Sequence, residues 1–111
     1  DDQPQEIETT HGPLVTLPYS VELNDIPMMM VQHHSARELY DRTMGQFTRL
    51  YAEGEQSARV MGIAVHPYIT GVPHRIGYFE RLLDEIRLQP GVLFWTGDQI
   101  LDWYRGARPA R

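Results

Sequence analysis

His66 is the residue whose type and place most invite chemistry in this chain. It ends the run Val60-Met-Gly-Ile-Ala-Val-His66 and is followed by Pro67, which lacks the backbone N–H that a sheet ladder needs. Such an apolar run is the pattern of a strand buried on both faces. In open α/β sheets and α/β barrels, the carboxyl end of such a strand is where ligands bind. An imidazole there can serve as general acid or base, because its unperturbed pKa lies near neutral pH. A histidine held by a structural hydrogen bond is the competing reading.

Asn24 and Asp25 lie in the loop after the first expected strand, on the same rim as His66 if the strands run parallel. They can hydrogen-bond a polar substrate or orient His66, but Asn-Asp is also a turn dipeptide, and by residue type alone the turn carries more weight. Arg75 can bind an anionic or carbonyl oxygen, although an isolated arginine at a helix start is commonly just solvated. His33 and His34 are adjacent and so cannot easily face one ion. The chain has neither His-x-x-x-His nor His-Glu-x-x-His spacing, and it has no cysteine. No metal held by this chain alone is expected. Phosphate-binding glycine loops and a Gly-x-Ser-x-Gly elbow are also missing from the sequence.

These side chains need elements to hold them. The sequence predicts a polar lead-in over 1–12, a strand at Leu14–Pro18, and a long irregular segment from Ser20 to His34 whose methionines are core filler. A capping box Ser35-Ala-Arg-Glu38 opens a helix over 36–53, with Leu39, Tyr40, Met44, Phe47, Leu50 and Tyr51 on one face and Gly54 as a left-handed stop. After the Val60–Val65 strand, a second helix begins around Pro73 and carries Ile76, Phe79, Leu82, Leu83 and Ile86. Pro90-Gly91 ends it. Val92–Trp95 is a third strand. Thr96-Gly-Asp-Gln99 caps a last helix that stops near Gly106, leaving a tail over 106–111.

Alternating strands and helices of this size imply right-handed crossovers and parallel strands, an α/β fold. Three such units put every helix on one face and leave the other bare. Residues 1–111 are therefore expected to be the carboxyl-terminal part of a distorted (β/α) barrel of about three βα units. The missing amino-terminal half of the barrel, another chain, or a second copy in a homo-oligomer would complete it. With 41% apolar and 23% charged residues, the composition is that of a globular chain. A net charge of −5 argues against nucleic acid or an anionic membrane as partner, and no apolar run is long enough for a membrane span.

Four stretches carry a resemblance: Asp1-Asp2-Gln-Pro4, Leu17-Pro-Tyr-Ser-Val-Glu-Leu-Asn-Asp-Ile26, Ile63-Ala-Val-His-Pro-Tyr-Ile-Thr-Gly-Val-Pro-His-Arg75 and Gly91-Val-Leu-Phe-Trp-Thr96. In that order they resemble the carboxyl-terminal portion of polysaccharide deacetylases of the NodB-homology type, nearest the branch with allantoinases and peptidoglycan deacetylases. The resemblance implies a hydrolase of non-peptide C–N bonds acting on a small amide or an N-acetylated carbohydrate, and a cytoplasmic location is a separate expectation. It places His66 as the general acid, with Asp2, Glu22, Asn24 and Asp25 around the pocket. It also implies that the early aspartate base and the His-x-x-x-His pair lie outside this chain. The complete enzyme would then take a divalent metal such as zinc, or none. A non-catalytic module that keeps part of the barrel is the alternative of a different class.

Overall fold

The core lies between two helices whose apolar stripes face each other. In the computed structural model, which describes residues 2–107, α1 is Ala36–Glu53 and α2 is Pro73–Arg87. Leu39 of α1 and Leu82 and Ile86 of α2 are buried with Met28, Met29 and Ile69, and Phe47, Phe79 and Leu83 pack around them. Each such side chain contributes roughly 1.5–3 kcal/mol relative to exposure. At the rim, the Arg81 guanidinium of α2 lies 4.5 Å from the ring centre of Tyr40 of α1, and the Tyr40 hydroxyl donates to Glu85. Bonds from Tyr40 and Arg81 hold the Glu85 carboxyl below its ordinary value, so it stays a charged acceptor between the helices.

The helices fall where the apolar spacing puts them, with Pro73 in the first turn of α2. Their ends differ in detail. Ser35 precedes α1 but makes no side-chain cap, and Glu38 reaches forward to Arg42 at 3.4 Å. Gly54 has φ −63°, so α1 leaves through a right-handed turn and not the expected left-handed stop. The third helix, α3 (Gly97–Ala107), does have its capping box: the Thr96 amide donates to Gln99 Oε1 at 2.8 Å, and the Gln99 amide to Thr96 Oγ1 at 3.3 Å. No helix among the described residues is long and apolar enough to cross a membrane.

The strands depart furthest from expectation. The lead-in and first strand build an antiparallel hairpin, with β1 (Gln5–Thr9) paired to β2 (Gly12–Thr16) in the register Gln5↔Thr16 and Thr9↔Gly12. Gly12 takes φ +107° after the two-residue tip, a conformation that glycine adopts without a Cβ clash. Parallel ladders at Val60–Val65 and Val92–Trp95 do not form among the described residues. The Val60 amide bonds the Asp2 carbonyl at 2.7 Å, and Ala64 exchanges bonds with Leu23 and Asp25 at 2.8 and 3.1 Å, giving one parallel bridge, Asn24–Ala64. A ladder needs a neighbour along its length, and among the described residues backbone partners meet the segment at those two points. Residues 60–66 are accordingly half-buried, not buried on both faces, and Leu93 and Phe94 are exposed. Within the segment expected to be irregular, Ile26–Val31 winds as a π-helix, with the Gln32 amide on the Pro27 carbonyl at 2.9 Å. Met28 and Met29 fill the core from it, while Met30 faces outward. The final residues of the tail, 108–111, and Asp1 lie outside the described residues.

Two glycines permit close backbone approach. A Cβ on Gly62 would sit 2.8 Å from the Pro18 carbonyl oxygen, and one on Gly71 2.6 Å from that of Pro67. Gly71 therefore closes the turn that follows His66. Gly71→Ala is expected to lower unfolding free energy by about 1–3 kcal/mol, read as a lower urea midpoint at unchanged slope.

Candidate active site around Asp25 and His66

Asp25 is a carboxylate with 0% exposure, and its surroundings are set by backbone from three stretches. Its own amide donates to the Ala64 carbonyl, and the Ala64 amide in turn donates to the Leu23 carbonyl. Two residues on, His66 donates its amide to Asp25 Oδ2 at 2.7 Å, and its ring Nδ1 lies 2.7 Å from Oδ1. The chain then turns back tightly, with the Ile69 and Thr70 amides on the His66 carbonyl at 3.0 and 2.9 Å. This brings the Thr70 hydroxyl to Asp25 Oδ2 at 2.7 Å. Arg75 braces the turn from α2 through a bond to the Ile69 carbonyl at 3.1 Å.

Burial alone would raise the Asp25 carboxyl. The hydrogen bonds from the Thr70 hydroxyl, the His66 ring and the His66 amide outweigh it and hold the group below its ordinary value. An ionised carboxylate is acceptor-only, so the proton between it and the ring belongs on Nδ1. The imidazole is 35% exposed, and Nε2 has no partner among the described residues. The result is an oriented histidine presenting one ring nitrogen outward, with Tyr68 edge-on at 5.8 Å between ring centres.

The remaining sequence candidates divide. Asn24 Oδ1 accepts the Ile26 amide at 3.2 Å, the bond expected of a turn asparagine, while its Nδ2 reaches the Tyr19 hydroxyl at 3.2 Å. Arg75 is engaged with backbone. Asp2 sits 3.6 Å from Arg59, and Glu22 is exposed. The two share a separate shallow cleft with Ser20, Gln46 and Arg49, and among the described residues no hydrogen bond or ion pair joins either to His66. Thr70, Tyr68 and Tyr19 were not singled out by sequence. The His66-Pro-x-x-Thr70 spacing was the available signal for Thr70, because one tight turn returns a residue four places on. His33 and His34 are exposed, and among the described residues no three His, Asp or Glu side chains gather where an ion could be held.

A carboxyl held below its ordinary value in the fold contributes stability above the unfolded value, near pH 4. That contribution is lost as pH falls through the folded value, because the unfolded chain binds the proton first. Asp25→Asn should therefore cost about 1.5–3 kcal/mol at pH 7. Its deficit relative to the unsubstituted protein should shrink as pH drops below about 4. Urea titrations from pH 7 down to 2 measure both.

Known proteins can be set beside this geometry. No family profile matches the chain. It is 29% identical over 98 residues to a Schizosaccharomyces pombe protein that bears a polysaccharide deacetylase name. The match takes in 86% of this chain and 31% of the relative, so the chain spans about a third of that relative's length. In fold, all of the chain superposes on 38% of a Pseudomonas aeruginosa PAO1 protein also named for polysaccharide deacetylase, with TM-score 0.89 and 24% identity. It superposes on the same share of the Puue allantoinase, with TM-score 0.90 and 24% identity. The chain is thus similar in sequence to a protein named for polysaccharide deacetylase, and its fold is part of one that structures named for polysaccharide deacetylase and allantoinase share.

Proposed function

We propose that this chain is one portion of a hydrolase of non-peptide C–N bonds, which deacetylates an N-acetylated carbohydrate or opens a ureide, with His66 as its general acid. The observation that carries the reading is the bond between Asp25 and His66 Nδ1 at the foot of a partly exposed ring. Polysaccharide deacetylation and ureide opening both hydrolyse a C–N bond, and both need a proton delivered to a poor nitrogen leaving group. After water has added to the carbonyl carbon, the imidazolium gives its Nε2 proton to the nitrogen as the C–N bond breaks. The bond pair stays on nitrogen, and the ring is left neutral with its other proton on Nδ1, facing the carboxylate. The group that takes the proton from water is not among the residues assembled here.

The other portion of the barrel, in this chain or another, is the proposed neighbour of the open apolar side. There Leu93, Phe94 and Trp95 lie beside Trp103 of α3 along a cleft of about 640 Å³ that continues to Phe47 and Val60. The extended segments on that side have few backbone partners, as strands do when their neighbours lie elsewhere.

Two outcomes test the function. In the complete protein, His66→Ala should reduce kcat on N-acetylated saccharide or ureide by about 10²-fold or more, the scale of lost acid catalysis. Unchanged turnover would instead favour a non-catalytic module. The purified 111-residue chain should release no acetate or ureide product by itself, and robust hydrolysis by it would overturn the division of the site between two portions of the barrel.

A further inference from the structure

Thr70 is nearly as buried as the carboxylate it touches, at 2% exposure, and its hydroxyl is directed at Asp25 Oδ2, not at a backbone carbonyl of its own turn. A carboxylate has two oxygens and about four lone-pair directions. At Asp25, Oδ1 serves the His66 ring, whereas Oδ2 takes the His66 amide and the Thr70 hydroxyl. Thr70 is also tied to His66 through its amide, so it closes a ring of bonds that runs from His66 to Thr70 to Asp25 and back to His66. The turn, the Gly71 contact and the Arg75 brace fix where that hydroxyl can be.

We propose that Thr70 is a positioning residue for the acid: its hydroxyl keeps Asp25 ionised and aimed, and through Asp25 it fixes the His66 ring with an Nδ1 proton toward the carboxylate and Nε2 on the opposite edge. The role rests on the hydrolase reading only in calling His66 the acid. With one donor fewer on Oδ2, the carboxylate would accept a proton at higher pH. A protonated Asp25 becomes a donor on one side, and the ring loses the acceptor that selects its tautomer. The other ionisable groups near the cluster are Tyr68 against the ring, Tyr19 on Asn24 and Arg75 on the Ile69 carbonyl, and among the described residues none bonds Asp25.

Thr70→Val keeps the branched shape and removes the donor. In the complete protein carrying ¹³C-carboxyl aspartate and ¹⁵N histidine, Thr70→Val should raise the pH midpoint of Asp25 by about 0.5–1 unit and shift neutral His66 toward a tautomer mixture. Thr70→Ser should leave both as in the unsubstituted protein. Identical Asp25 midpoints and ring ¹⁵N shifts in a folded Thr70→Val protein would overturn the role. Should that variant not fold, Thr70→Cys substitutes a weak donor. Its Asp25 midpoint must lie above that of Thr70→Ser, and equal midpoints would likewise overturn the role. Neither readout needs turnover, so failure here is separate from failure of the hydrolase reading, which His66→Ala addresses.

Discussion

A negative charge with no access to water has to be met by donors, and that requirement organises this end of the molecule. Asp25 is fully enclosed, so leaving it unpaired would cost several kcal/mol. The donors come from a ring, an amide and a hydroxyl that lie 41 to 45 residues away in the chain. Satisfying them forces the end of the Val60–Val65 segment against the residues before the π-helix. It also forces a tight turn after His66, and glycine where that turn closes. The partly exposed imidazole is a by-product of the same arrangement, since the ring cannot turn away without leaving Oδ1 of the buried carboxylate unpaired.

The helices were legible because a stripe at three- and four-residue spacing reports directly on a buried face. Leu39 on α1 and Leu82 with Ile86 on α2 are core residues that the spacing alone picks out. Strands are less readable, because an apolar run says which residues avoid water and nothing about which backbone lies alongside. Val60–Val65 and Val92–Trp95 have the composition of barrel strands without neighbours to complete them. The polar lead-in hides a strand for the opposite reason: β1 is mostly exposed, so its alternation carries little apolar signal, and Gly12-Pro13, turn residues by type, begin a strand. Local cap signatures split the same way. Thr96 and Gln99 bond each other's backbone as their types predict, whereas Glu38 finds Arg42 a better partner than the backbone at Ser35.

Of the site, His66 and Asp25 could be found because a strand-ending histidine and a loop aspartate are conspicuous. The sequence offers their pairing only as one option, since it depends on the Leu23–Ala64 alignment. Asn24 follows the turn reading, with its Oδ1 on the Ile26 amide, and its Nδ2 goes to the Tyr19 hydroxyl. For Thr70 the sequence offers only its four-residue spacing from His66, because a threonine inside an apolar loop looks like packing until the fold brings a carboxylate to it.

The hairpin lies apart from this machinery. Its tip, Thr10–His11, is exposed and its two-residue loop is tied within itself, the His11 amide on Thr9 Oγ1 at 3.1 Å. An insertion there would lengthen a loop whose closure entropy grows only slowly with length. That makes the tip a natural place to graft a fluorophore or an affinity handle without touching the Asp25 carboxylate.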